Sequence, residues 1–114
     1  MRIAGFGMRG AACASSLRDA LARAGNDAQV LAALPRHAAR VRVLADALGL
    51  PLIEVGEIAG IATPTASPRV VARFGTGSVA EAVALAAAGP GGRVLAPRVV
   101  SADGLATAAI AEAP

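Results

Sequence analysis

The sequence has no lysine, tryptophan or tyrosine, one cysteine, one histidine and only two aromatic residues, Phe6 and Phe74. Each scarcity removes a class of function. Without lysine there is no Schiff base, no P-loop lysine and no lysine general base. Without Trp and Tyr, stacking on bases is nearly excluded, which argues against single-strand and RNA-binding modules. A lone Cys13 allows neither a disulfide framework nor a cysteine zinc site. No stretch reaches the roughly 18 uncharged apolar residues that a bilayer-spanning helix needs. The short apolar run at the N-terminus is interrupted at Arg9 and makes no convincing signal peptide. The expectation is a soluble, cytoplasmic protein with no metal, no cofactor, no nucleic-acid partner and no membrane.

What is present bounds the fold. The chain has 114 residues, enough for a single domain over residues 1–114 and too few for two ordinary ones. Hydrophobic residues make up 55% of it, so with so few aromatics the core must be Ala, Val, Leu and Ile. All 11 basic residues are arginine, against 8 acids. They are scattered singly along the chain and form no run, so they tolerate acidic ligands without specifying nucleic acid.

Taken in order, Arg2 to Gly7 reads as a first strand, and Gly5-Phe6-Gly7-Met8-Arg9-Gly10 matches the G-x-G-x-x-G pattern. A helix follows with Cys13, Leu17, Ala20, Leu21 and Ala24 on one face, an Asp19–Arg23 pair on the other, and Gly25-Asn26 as its stop. A dinucleotide site requires an acid at the end of the second strand. Asp27 has about the right count but precedes the strand Ala28–Leu34, at the wrong end of the sheet. The pattern is therefore read as a glycine turn over the top of a sheet. Pro35 to Leu48 predicts a second helix ended by Gly49 and Pro51, with His37 in its exposed first turn. Pro51 to Val55 is a third strand, and Glu57 to Gly60 a helical turn. Ser67-Pro68 opens a short helix ending at Phe74.

Gly75-Thr76-Gly77 then leads into the most apolar helix, Val79 to Ala88. Ser78-Val79-Ala80-Glu81 has capping-box spacing: the Ser78 hydroxyl accepts from the Glu81 N–H, and the Glu81 carboxylate reaches back to the Ser78 N–H. After Glu81 this helix has no polar face, so it is buried in the domain or covered by a partner. Strands at Arg93–Val100 and Leu105–Ala111, joined through Asp103-Gly104, form a hairpin, with Pro97 pushing the first strand to an edge or a bulge. The order predicts an α/β fold with a mixed, mostly parallel sheet of about five strands.

No Ser-His-Asp order and no metal cluster stands out. In open α/β sheets ligands sit beyond the carboxyl ends of the parallel strands. The candidate binding residues are Gly7, Arg9, Gly10, Thr65, Ser67, Gly75, Thr76, Gly77, Ser78 and Glu81, a set suited to a carboxylate-bearing ligand. Arg98 and Thr107 are further available polar groups. Catalytic residues stay unassigned; Glu81 and His37 are the candidates for acid/base work.

Over nearly its full length the chain resembles the CobE family and the C-terminal domain of CbiG, proteins of cobalamin biosynthesis. The resemblance rests on Gly5-Phe6-Gly7-Met8-Arg9-Gly10, on Ala45-Asp46-Ala47-Leu48-Gly49-Leu50-Pro51-Leu52 and on Thr65-Ala66-Ser67-Pro68-Arg69-Val70. Gly75-Thr76-Gly77-Ser78-Val79-Ala80-Glu81-Ala82 and the ending Thr107-Ala108-Ala109-Ile110-Ala111 complete it. The chain departs from the family in having Met8-Arg9 for Cys-Arg and Arg98 for a lysine. The resemblance implies a three-layer α/β/α sandwich that binds a polycarboxylated precorrin or corrinoid intermediate, as carrier or accessory to a pathway enzyme. On that reading Arg9 contacts one ring carboxylate, Thr76, Gly77 and Ser78 a second, and Glu81 holds the turn. Two rivals stay open: an enzyme acting on the intermediate, hydrolase-like as in full-length CbiG, and an interaction module docking another cobalamin-pathway enzyme or a second copy as a homodimer.

Overall fold

The computed structural model describes residues 1–114. Its elements run β1 (Arg2–Met8), α1 (Ala14–Ala24), β2 (Val30–Ala33), α2 (Pro35–Leu48), β3 (Leu52–Glu54), α3 (Pro68–Phe74), α4 (Val79–Ala88), β4 (Arg93–Val100) and β5 (Ala106–Glu112). The strands form one sheet in the order β3-β2-β1-β5-β4. β1 and β2 pair in parallel, as do β2 and β3, while β5 runs antiparallel to both β1 and β4. The sheet is thus evenly mixed, not mostly parallel as expected. The reason is that the second strand of the hairpin, not the first, lies against β1, so the reversal adds two antiparallel pairings.

Two apolar clusters on opposite faces make the three layers. On one face Leu17, Leu21, Val41 and Leu44 of α1 and α2 pack on Ala4, Phe6, Leu31 and Ile110. On the other, Val79, Ala82 and Val83 of α4 pack with Ile3, Val30, Ala32, Val55 and Ile58. Ala4 and Phe6 point one way, and Ile3, Gly5 and Gly7 the other, by the two-residue alternation of a strand.

That alternation explains the glycines of the G-x-G-x-x-G stretch. Gly5 and Gly7 lie inside β1, not in a turn. A Cβ on Gly5 would sit 2.2 Å from the Ala80 carbonyl oxygen and 2.5 Å from the Ala84 nitrogen. The two glycines let the small-residue face of α4 lie directly on the strand, and only Arg9 and Gly10 enter the loop beyond it. Because Val79–Ala84 are buried within the chain itself, the apolar composition of α4 is accounted for without a partner.

Helix boundaries follow the sequence signals closely. α2 begins at Pro35 and ends on Gly49 in the left-handed conformation, and α3 begins at Pro68 and ends on left-handed Gly75. The Asp19–Arg23 pair forms at 2.9 Å. Cys13 caps α1 and is exposed rather than buried on its apolar face. No helix forms over Glu57–Gly60, where only Ala59 and Gly60 make a turn. β4 is an edge strand whose pairing with β5 is interrupted between Ala96 and Val99, around Pro97, as a residue without an N–H requires. No single helix is long and apolar enough to cross a membrane.

Candidate functional site

A cleft of about 790 Å³ opens where β1 and β2 end, where β4 ends and where β5 begins. The loop after β1 contributes Arg9 and Gly10; α2 contributes Arg36, His37 and Arg40; α3 contributes Arg69, Val70, Arg73 and Phe74. Arg98 and Val100 of β4 and Gly104 to Thr107 complete the wall. Its volume lies within the range of small-molecule sites.

The cleft has one sign of charge. Six of the chain's 11 arginines line it and no aspartate or glutamate does. The ion pairs of the molecule use Arg2, Arg23 and Arg93, so none of the six is neutralised by a carboxylate. Like charges gathered in a concave site focus the field and draw in anions. Each guanidinium presents a planar fork of donors that matches a carboxylate.

Several of these arginines are held in place. Arg40 donates to the carbonyl oxygens of Arg9 (2.9 Å), Gly10 (3.2 Å) and Ala12 (3.3 Å), clamping the loop that carries Arg9. The Arg9 N–H donates to the Leu105 carbonyl at 2.8 Å, tying the same loop to the start of β5. Arg36 and Arg73 lie over the ring of Phe74 at 5.4 and 5.1 Å, a double cation–π contact that joins α2 to α3. Thr107 Oγ1 donates to the Gly7 carbonyl at 3.3 Å.

His37 is 6% exposed, not the exposed first-turn residue expected, and its Nδ1 is buried without a hydrogen-bond partner. Burial, then the charges of Arg40, Arg36 and Arg73, push its pKa down to about 4. At neutral pH it is an uncharged imidazole among guanidinium groups.

Of the residues expected at the site, the structure brings Gly7, Arg9, Gly10, Ser67 and His37 to the cleft. Thr65, Gly75, Thr76, Gly77, Ser78 and Glu81 do not line it. Thr76 Oγ1 donates to the Ile61 carbonyl. Gly77 packs so tightly that a Cβ there would meet Thr63 Oγ1 and the Thr65 carbonyl at 2.5 Å. Gly75 is the left-handed stop of α3, and its carbonyl accepts from the Gly60 N–H at 2.9 Å. Ser78 is buried and caps α4, accepting from the Glu81 N–H at 3.3 Å.

Glu81 does not reach back to the Ser78 N–H. It is fully buried, and its Oε1 accepts from the Thr65 N–H (3.0 Å) and the Thr65 hydroxyl (2.8 Å). Its Oε2 accepts from the Arg98 N–H at 2.8 Å. One carboxylate therefore ties α4 to the 61–67 loop and to the irregular part of β4. Both oxygens are engaged and neither faces the cleft.

Sequence reasoning missed Arg36, Arg40, Arg69 and Arg73 as a set. Arg36 and Arg40 are four apart on α2, as are Arg69 and Arg73 on α3, so each pair shares a helix face. That spacing was the available signal; the meeting of the two faces over one cleft was not.

The chain matches, over residues 2–111, the family model described as cobalamin synthesis G C-terminus. A comparison with curated proteins gives no match. Among solved structures it is similar to CobE, a protein from the cobalamin (vitamin B12) biosynthetic pathway, at TM-score 0.78 and 27% identity, covering 97% of this chain and 89% of that one. It is also similar to the cobalamin biosynthesis protein chiG from Agrobacterium tumefaciens, at TM-score 0.69 and 32% identity over 98% of both chains. A cobalamin biosynthesis protein G homolog from Sulfolobus solfataricus shares the fold at TM-score 0.74 and 20% identity, covering 99% of this chain and 37% of that one.

Proposed function

Since the chain belongs to the cobalamin synthesis G C-terminus family, we propose that it serves cobalamin biosynthesis in the cytoplasm by binding a polycarboxylated precorrin or corrinoid intermediate. The observation that carries this reading is the cleft itself: six arginines, no acid, and no ion pair to neutralise them. A ring edged with carboxylates supplies the several dispersed negative charges that such a wall calls for. Arg9, Arg36, Arg69, Arg73 and Arg98 are the carboxylate contacts, with Ser67 and the Gly7–Gly10 loop beside them. Thr65, Gly75, Thr76, Gly77, Ser78 and Glu81 act one layer behind, fixing the positions of α3 and β4.

The role is that of a carrier or accessory to a pathway enzyme, acting as a single domain over residues 1–114. Apart from arginine, His37 is the only titratable side chain in the cleft, and at neutral pH it is the uncharged imidazole, without the second ring proton that a general acid would give up. That inventory favours binding over turnover.

The test is a visible-absorbance titration with dicyanocobyrinic acid, a corrin heptacarboxylate, against its heptamethyl ester. Saturable binding of the acid and none of the ester is expected. Arg36→Ala with Arg73→Ala should weaken it by about tenfold per arginine, the scale of one hydrogen bond to a charged group. Equal binding of acid and ester, or no binding of either, would overturn the reading. A spectrum that keeps changing with time would instead mark an enzyme.

A further inference from the structure

The one buried side-chain nitrogen or oxygen without a hydrogen-bond partner in the molecule is His37 Nδ1, and His37 lines the arginine cleft. Buried polar atoms are nearly always partnered, because an unmade bond carries the full cost of desolvation. A residue of a cleft wall that carries such an orphan is a place where a ligand can supply the missing partner.

Resting on the reading of the cleft as a polycarboxylate site, we propose that His37 is the seat of one carboxylate of the ligand, and that this carboxylate is bound together with one proton taken up from solvent. Without ligand the imidazole is neutral. When the carboxylate docks, the proton adds to the ring nitrogen left bare, and the imidazolium then donates from a nitrogen to the carboxylate oxygen. No other bond is made or broken.

The electrostatics of the surroundings give the direction. The charges that act on His37 are Arg40 and Arg36 on its own helix and Arg73 on α3; Arg69 on α3, Arg9 on the loop after β1 and Arg98 on β4 line the same cleft. None is acidic, so each of them opposes a proton on His37 until an anion binds. Burial, the largest cause, acts in the same direction, and with Arg40, Arg36 and Arg73 it holds the pKa at about 4. Carboxylates docking on those arginines cancel the opposing field and place an opposite charge beside the ring. Both changes favour the protonated form. By reciprocity, whatever the ligand adds to proton affinity, the proton adds to ligand affinity.

His37 thereby becomes a specificity residue. A guanidinium grips an anion at any ordinary pH, whereas His37 rewards only a ligand whose carboxylate reaches this buried position. A smaller anion that occupies the outer arginines gains nothing from it.

The experiment is calorimetric titration of the full chain with dicyanocobyrinic acid, whose cobalt has both axial positions filled and is closed to imidazole. Run in two buffers of different ionisation enthalpy, it counts the protons taken up on binding. A net uptake at about pH 6, and affinity rising up to tenfold per unit as pH is lowered from about 7 to about 5, are expected. His37→Gln, which keeps a polar side chain of similar reach, should bind with weakened affinity and no dependence on pH in that window. Binding of the wild-type protein without proton uptake, or uptake that survives in His37→Gln, would overturn the assignment and leave the arginine site standing. Failure of the wild-type protein to bind the probe would overturn both.

Discussion

Replacing Glu81 should damage stability far more than ligand contact. The carboxylate is fully buried and holds three donors: the Thr65 N–H, the Thr65 hydroxyl and the Arg98 N–H. Glu81→Gln keeps an acceptor for Thr65 and turns an NH2 group toward the Arg98 N–H, so one charge-assisted bond becomes a donor–donor contact. That loss costs about 2–3 kcal/mol, the value of a hydrogen bond to an ionised group. Glu81→Ala strands all three donors at about 1–3 kcal/mol each, partly recovered because Thr65 and Arg98 are only half-buried and water can reach them. A total of about 4–5 kcal/mol follows, in the exceptional range for one substitution. For a chain of this size roughly 4 °C of Tm goes with each kcal/mol, so Gln should lower the midpoint by about 10 °C and Ala by about 15–20 °C. Thermal unfolding followed by circular dichroism at neutral pH measures both. At temperatures where Glu81→Gln stays folded it should still bind the corrin acid, weakened less than by losing a cleft arginine. A Gln variant that melts with the wild-type protein would refute the staple, and one that is fully stable yet loses binding would return Glu81 to the site.

Gly5→Ala should cost about 3 kcal/mol or yield insoluble protein, since the new methyl meets α4 backbone that cannot give way as a side chain would, whereas Gly10→Ala, with open space around it, should stay within about 0.5 kcal/mol; chemical denaturation compares them. The exposed Cys13 thiol, hydrogen-bonded first to Ser15 and then to Ser16, is drawn down to about 7. Its alkylation rate should be half-maximal near that pH, and Ser15→Ala should move the midpoint upward. His37 titrates near 6.5 when unfolded and at about 4 when folded, so the unfolded chain takes up the proton first on acidification. Its contribution should be constant above about pH 6.5 and be lost progressively down to about pH 4; His37→Leu should remove that slope and raise the midpoint at neutral pH by relieving the orphaned nitrogen.

Local chemistry was readable in the sequence wherever a residue acts on its immediate neighbours. Pro35, Gly49, Pro68 and Gly75 mark the helix ends where the structure has them, and Ser78 caps α4 as its spacing predicts. Pro97 places β4 at an edge for want of one N–H. What escaped depended on distant meetings. The Glu81 side chain turns to Thr65 and Arg98, sixteen and seventeen residues away, because a fully buried carboxylate takes the strongest donors within reach, and a cap pattern sees only its own turn. Gly5 and Gly7 answer to the approach of α4, not to a phosphate. The arginines, single and unremarkable along the chain, form a site only because α2 and α3 face each other across Phe74. His37 is buried at the wall of that cleft, which its position in a first turn does not announce.

The measurement that bears most directly on the central claim is a nuclear magnetic resonance map of the binding surface. The chain, labelled with nitrogen-15, is titrated with dicyanocobyrinic acid while backbone amides and arginine side-chain N–H signals are followed. Shifts are expected at the side chains of Arg36, Arg73 and Arg98 and at the amides of Gly10 and Thr107, the walls of one cleft. Shifts confined to the exposed outer face of α1, around Arg18 and Ala22, or to the β3 edge at Ile53, with the cleft silent, would contradict it.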